Sequence, residues 1–266
     1  MNDMHAWNSR NLGDSFDTAE GRRMLIRAAF YQAKEDGVAV LEIGEDVWGL
    51  GTFFHGDIEE LVDAFETAHQ EIAPEIELRL QIGLSRHCDI AYLEDCLSHF
   101  WGCKAFYSID LYGDEHAQPI ENFRYIYRRA KSEGLRLKAH AGEWGTAEDV
   151  RRAVECLELD EVQHGIAAVE DPSVIRFLAD NHIRLNITPS SNYLLGRVPD
   201  LKIPLQEALD LFSKHESYAD VNEEKRGSYQ REYMALSEYY DVYEKGVINQ
   251  SISMEDIKQL PGRESE

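Results

Sequence analysis

Six short runs of β-branched and other apolar residues recur along this chain, and their spacing constrains the fold more than any other feature. In order, they occupy residues 38–44, 77–85, 104–112, 135–143, 161–166 and 183–189. Successive runs start 22 to 39 residues apart, which is the length of a strand followed by a helix. Alternating strands and helices predict an α/β fold with a parallel sheet and right-handed crossovers.

Several segments between the runs have helical patterns. Residues 57–72 place apolar side chains on one face, residues 146–157 open with a threonine followed by acids, and residues 171–181 open with Asp-Pro. The glycine-rich segment 44–56 is predicted to be a loop. Its aromatic side chains either cover a ligand or pack in the core, and both alternatives remain open.

The C-terminal part of the chain differs in character from the rest. Residues 205–215 and 227–245 have helical patterns, and they predict a helical tail over 201–266. We therefore expect one domain over residues 1–266, with its barrel elements between 15 and 200.

The charge balance excludes two classes of partner. The 266 residues include 27 Lys and Arg against 50 Asp and Glu, a formal net charge of −23. Nucleic acid polymers and anionic membranes both need a basic footprint, so neither is an expected partner. No apolar run approaches the roughly 18 residues of a membrane span, and residues 1–14 lack the apolar core of a signal peptide. Four cysteines without a CxxC pair indicate reduced thiols, and we expect a cytoplasmic protein.

Polar residues gather where the apolar runs end, at the edge that carries the active site in barrels and open α/β sheets. The sharpest motif is 138–145 (KAHAGEWG), which places His140 three residues before Glu143, and the next run contains His164 in the sequence QHG. An imidazole can bind Zn²⁺ while a neighbouring acid moves protons, so the three residues indicate metal-assisted hydrolysis. The alternative is that they only cap strand ends.

Four motifs follow one another along the chain, at 108–115 (SIDLYGDE), 139–145 (AHAGEWG), 163–165 (QHG) and 188–196 (TPSSNYLLG). In this order they resemble the motifs of adenosine deaminases, members of the zinc-dependent amidohydrolase superfamily of (β/α)₈ barrels. The resemblance covers about two thirds of the chain, from about residue 22 to residue 198. It implies a TIM-barrel-like fold and hydrolytic deamination of an adenine nucleoside or nucleotide.

The resemblance also implies roles for individual residues. His140 matches a zinc-binding histidine, Glu143 the acid that protonates the purine ring, and His164 the histidine that orients the attacking water. By the same resemblance, residues 113 and 114 belong to a substrate-binding group.

The members of that substrate-binding group lie in one motif. Gly113 matches a glycine whose backbone contacts the purine, and we assign Asp110 and Asp114 to the same group. The cofactor implied by the resemblance is zinc, and the implied partner is a purine nucleoside or nucleotide.

Two features of the family are absent from the sequence. The family supplies further zinc ligands from an HxH motif on its first strand and from adjacent aspartates on its eighth. This chain has no HxH, and no Asp-Asp follows residue 198. The six runs therefore correspond to barrel strands two to seven, and we expect an incomplete or divergent barrel.

An incomplete barrel leaves two edges of its sheet open. Another subunit of the same or a different chain, local terminal segments, or a different closure would cover them, and we expect an oligomer. Two functions remain open. The chain is a zinc-dependent deaminase whose metal site a partner or replacement ligands complete, or it is a non-catalytic purine-binding or regulatory pseudoenzyme. One histidine alone cannot hold a catalytic zinc ion.

Overall fold

The computed structural model describes residues 18–188, 192 and 195–197. The predicted tail over 201–266, and any segment corresponding to the first or eighth barrel strand, lie outside these residues. No helix in the described ranges combines the length and apolarity that crossing a bilayer requires.

Six parallel strands make one sheet in the described part of the chain. They are β1 (Val40–Asp46), β2 (Glu77–Ser85), β3 (Phe106–Tyr112), β4 (Arg136–Ala141), β5 (Glu161–His164) and β6 (Arg184–Asn186). Each strand pairs in parallel with the one before it, so the spatial order is the sequence order. This is the strand order of a TIM barrel opened along one side, and it confirms the predicted TIM-barrel-like sheet.

Helices connect the strands. They are α1 (Ala19–Glu35), α2 (Val47–Phe53), α3 (Ile58–Ile72), α4 (Ile90–Leu97), α5 (Arg124–Glu133), α6 (Ala147–Leu157) and α7 (Pro172–Asp180), with 3₁₀ turns at Ile120–Phe123 and Ile166–Glu170. The three helices predicted from sequence are α3, α6 and α7, and each starts one residue after the beginning of its predicted range. The side chains of Asp57, Thr146 and Asp171 accept hydrogen bonds from the first turns of these helices.

Several strands end earlier than their apolar runs predict. The run 135–143 stops at Ala141 because Gly142 adopts a left-handed φ of 74°, and the run 161–166 stops where His164 has a φ of 63°. Left-handed backbone cannot continue a strand. The sequence pattern identified the strands but not these turns, which change the direction of the backbone after each strand.

The glycine-rich segment 44–56 is not a loop throughout, because its centre forms α2. Phe53 is 3% exposed and Phe54 is fully buried in the core. Of the two alternatives for these two aromatic side chains, packing in the core is the one that the structure shows.

The two faces of the sheet differ in character. One face is apolar and packs against the helices, as Ile109, Leu137 and Val162 are buried there. On the other face, Lys138 of β4 contacts the carboxylate of Glu42 on β1 and lies 3.5 Å from that of Glu161 on β5. In a flat sheet, β1 and β4 would lie about 14 Å apart, so the Lys138–Glu42 contact requires a curled sheet.

The polar layer on the concave face involves more strands than this pair. Ser108 of β3 donates a hydrogen bond to Glu42, and Asn186 of β6 donates one of 2.8 Å to Glu161. With that of Lys138, these side chains come from five of the six described strands, and Gln81 of the sixth, β2, approaches them with its Oε1 3.4 Å from Ser108 Oγ. We call Glu42, Ser108, Lys138, Glu161 and Asn186 the concave polar network.

Replacing Thr146 by alanine is expected to lower the free energy of unfolding by about 1 kcal/mol. Thr146 and Asp149 form a capping box at the start of α6, and alanine leaves the N–H of Asp149 without its side-chain acceptor. Urea denaturation measures the change. Thr67→Ala, on an exposed position within α3, is the matched control and should change stability by less than about 0.5 kcal/mol. Equal effects of both substitutions would contradict the capping role.

Candidate active site

The three residues singled out from the sequence meet at the carboxyl edge of the sheet. His140 lies at the end of β4, Glu143 follows in the next loop, and His164 is the last residue of β5. One ligand atom from each lies within 4.8 Å of the others. His164 Nε2 is 3.5 Å from Glu143 Oε2, and the two imidazole centroids are 5.0 Å apart. Among the described residues, this His-Glu-His group is the one able to offer three donors to a metal ion.

Two side chains hold the imidazole of His164 in place through its Nδ1 atom. Its Nδ1 lies 2.8 Å from Thr188 Oγ1 and 3.1 Å from the side-chain amide of Asn192. These contacts leave Nε2 facing Glu143. Burial, together with the neighbouring His140, lowers the pKa of His164 to about 4. His164 is therefore neutral near pH 7 and can donate or accept a hydrogen bond at Nε2 according to its tautomer.

His140 has a different electrostatic environment. Burial alone would lower its pKa, but the hydrogen bond and negative charge of Asp110 outweigh burial and raise the pKa above 6.5. His140 Nε2 lies 3.2 Å from Asp110 Oδ2, which the amide of Gln163 also approaches at 3.4 Å. The other oxygen, Asp110 Oδ1, is buried and has no hydrogen-bond partner among the described residues. Asp110 therefore orients His140 and keeps one acceptor free.

Glu143 is 9% exposed, and this burial raises its pKa above 4.5, although the charge of His140 opposes the shift. A carboxyl group with a raised pKa keeps its proton closer to neutral pH, which suits a proton donor. A carboxyl group with a raised pKa and a neutral imidazole thus lie side by side.

The loop after β4 has contacts on both sides. Glu115 accepts hydrogen bonds from the backbone N–H groups of Gly142, Glu143 and Trp144 at 2.7 to 2.8 Å. From the other side, Arg197 Nε donates to the carbonyl oxygen of Glu143 at 2.5 Å, and its guanidinium lies 4.7 Å from the Trp144 ring centre.

The predicted substrate-binding residues are not all at the same place. Asp110 joins the histidine cluster, as described. Gly113 has a φ of 102°, and a Cβ there would lie 3.2 Å from the His87 ring, so the close approach and the backbone angle both favour glycine. Asp114 accepts a hydrogen bond from the N–H of His116, and its own N–H points to His87. The recorded contacts of Asp114 are thus away from the cluster, and its substrate role stays a prediction.

Sequence reasoning did not assign Glu115, Thr188, Asn192 or Gln163 to the site. Gln163 and Thr188 are adjacent to or within recognised motifs, but motif membership does not say what a side chain contacts. Glu115 follows Gly113 and Asp114 in a polar turn, and the hydrogen bonds that it makes belong to a loop 27 residues further on. Only the paired strand ends bring these segments together.

The sequence comparisons agree with this geometry. A profile of the family described as adenosine deaminase matches residues 14–258. The chain is 34% identical over 194 residues to the provisionally named adenosine/adenine deaminase of Treponema pallidum, covering 73% of this chain and 64% of the relative. It is also 34% identical over 192 residues to the adenine deaminase of Rhodospirillum rubrum, covering 70% and 57%. The chain thus spans about three fifths of the length of these curated relatives.

Solved structures share the fold. The adenine deaminase of Arthrobacter aurescens superposes with a TM-score of 0.65 at 27% identity, covering 73% of this chain and 61% of that protein. A zinc-bound amidohydrolase of Burkholderia ambifaria superposes with a TM-score of 0.63 at 23% identity, covering 73% and 56%, and shows the fold alone. Because the family profile matches most of its length, the chain belongs to the adenosine deaminase family.

Proposed function

We propose that this protein catalyses hydrolytic removal of the 6-amino group from an adenine-containing compound. The observation that carries the proposal is the convergence of His140, Glu143 and His164 at the carboxyl edge of the sheet, with an acid of raised pKa beside a neutral imidazole. The names of the relatives support adenine as a substrate, and the residue motifs support an adenine nucleoside or nucleotide as well. Hydrolytic deamination needs a water nucleophile and a proton for the ring, and these residues can serve both.

Each residue of the cluster has a separate role in this proposal. Glu143 donates its proton to a ring nitrogen of the purine, which makes the adjacent carbon more open to attack. His164, fixed through Thr188 and Asn192, orients the attacking water through Nε2. Asp110 holds the imidazole of His140. Gly113 and Asp114 contact the purine.

The residues present fit a zinc ion. Imidazole nitrogen and carboxylate oxygen are zinc donors, and three of them approach within 4.8 Å. His140 would hold the metal, with Glu143 and His164 the other donors within reach. When bound, zinc would lower the pKa of a water molecule toward neutral pH. A catalytic zinc needs about three protein ligands. If Glu143 and His164 are to stay free for proton transfer, the other ligands must come from residues outside the described ranges or from a second chain.

The alternative is a purine-binding or regulatory protein without catalysis. The relatives named above are deaminases, and this favours catalysis over binding alone. A cytoplasmic location and an oligomer that covers the sheet edges remain predictions.

The first experiment measures metal and activity together on the purified full chain. We expect about one zinc per chain by elemental analysis, an oligomeric mass by native mass spectrometry, and ammonia release from adenine, adenosine or AMP. Removing zinc with a chelator should abolish ammonia release, and adding zinc should restore it. Folded protein that contains zinc but releases no ammonia from any of the three compounds would contradict the proposal. Folded protein that neither retains nor rebinds zinc would contradict it as well.

A further inference from the structure

Glu115 is a buried carboxylate that interacts with backbone N–H groups rather than with a cationic side chain. Glu115 is 7% exposed, and its side chain makes no ion pair within 4.0 Å among the described residues. Instead, Oε2 accepts from the N–H of Gly142, and Oε1 accepts from those of Glu143 and Trp144. A carboxylate is the side chain able to accept several such bonds while donating none.

The backbone is shaped around this carboxylate. The left-handed φ of 74° at Gly142 turns consecutive N–H groups toward one point, which is the geometry of an anion-binding nest. A Cβ at Gly145 would lie 2.8 Å from Glu115 Oε2, so a side chain at that position would displace the carboxylate. The glycines on both sides of Glu143 therefore allow the loop to close on Glu115.

We propose that Glu115 is a positioning residue that fixes the loop carrying the proton donor Glu143. Glu115 holds the N–H of Glu143 and Arg197 holds its carbonyl oxygen, so the backbone of this residue is fixed at both polar groups. Only side-chain torsions then remain to set the 3.5 Å approach of Glu143 Oε2 to His164 Nε2. The kinetic consequence rests on the proposed deaminase function, whereas the position of the loop does not.

The test replaces Glu115 by glutamine, which keeps the size of the side chain but has one acceptor oxygen and adds two donors. Hydrogen–deuterium exchange of a peptide spanning residues 139–145 should accelerate at least about tenfold, because the N–H groups lose their acceptors. In the active enzyme, kcat should fall about 100-fold with KM nearly unchanged, the effect of a catalytic group displaced by about 1 Å. Glu115→Asp keeps the charge and should restore part of both losses.

Asp149→Asn is the matched control, because Asp149 also accepts backbone and side-chain hydrogen bonds at Thr146, close to this loop but not on it. It should reduce stability without changing kcat or exchange at residues 142–144. Unchanged exchange in Glu115→Gln would overturn the proposal, and so would faster exchange with an unchanged kcat. If the wild-type protein shows no deamination, the proposed function fails, and the exchange result alone then decides whether Glu115 fixes the loop. Gly145→Ala provides a second variant, with the same expected exchange, should Glu115→Gln not fold.

Discussion

Replacing Glu143 by glutamine is expected to lower kcat about 1000-fold, while KM changes by less than about threefold. The amide matches the carboxyl group in size, so the loop contacts to Glu115 and Arg197 persist, since both are made by the backbone of residue 143. What disappears is the proton that the raised pKa keeps available. Steady-state ammonia release from the preferred substrate, with zinc content measured on the same sample, gives the result.

Zinc content separates the two roles open to this carboxylate. Retained zinc with lost turnover identifies Glu143 as the proton donor, whereas loss of both identifies it as a metal ligand and contradicts the assignment. Glu148→Gln, the same substitution at an exposed position five residues further on, is the control and should leave kcat within about twofold of wild type. A kcat of Glu143→Gln above about one tenth of the wild-type value would show that the proton comes from elsewhere.

Replacing Lys138 by methionine is expected to lower the free energy of unfolding by about 3 to 5 kcal/mol. Lys138 is 3% exposed and pairs with Glu42 and Glu161. Its loss leaves Glu42 without an ion-pair partner among the described residues, whereas Glu161 keeps only Arg136, whose Nε lies 3.0 Å from it. Burial would raise the pKa of Glu161, but Asn186 and Lys138 outweigh burial and lower it, which shows how much this carboxylate depends on its partners. Urea denaturation at pH 7 measures the change, and thermal unfolding should begin about 10 °C lower.

Lys131→Met is the control for this experiment, because Lys131 forms an exposed ion pair with Glu158. Exposed pairs contribute little, so we expect a change below about 1 kcal/mol. The difference between the two variants should shrink as the pH falls below 4.5, because Lys138 lowers the pKa of Glu161 and its stabilising effect is lost when that carboxyl group takes up a proton. Equal stability of Lys138→Met and wild type at pH 7 would contradict a stabilising role for the concave polar network.

Much of the fold could be predicted because short stretches of sequence indicate the alternation of strands and helices. Strands that are largely buried produce apolar runs in the sequence. The side chains of Asp57, Thr146 and Asp171 cap the helices that start directly after them. The left-handed turns at Gly142 and His164 could not be read from apolar patterns, because histidine gives no sign of its backbone angle.

The site was predictable for a different reason. In a parallel sheet the carboxyl ends of neighbouring strands share an edge, so His140 and His164 had to lie near each other once their strands were identified. The support around them was not predictable. Thr188 and Asn192 reach His164 across 24 and 28 residues of sequence, and no local pattern encodes such contacts.

The sequential order of the strands has a consequence for how the chain is built. From β2 onward, every described strand pairs with the strand made just before it, so between residues 40 and 186 no pairing waits for a distant part of the polypeptide. Folding speed falls as contacting residues become more distant in sequence, and domains form from the N-terminal side during synthesis. Each strand-helix unit can therefore dock on its predecessor as it leaves the ribosome, and the growing edge of the sheet is the template for the next addition.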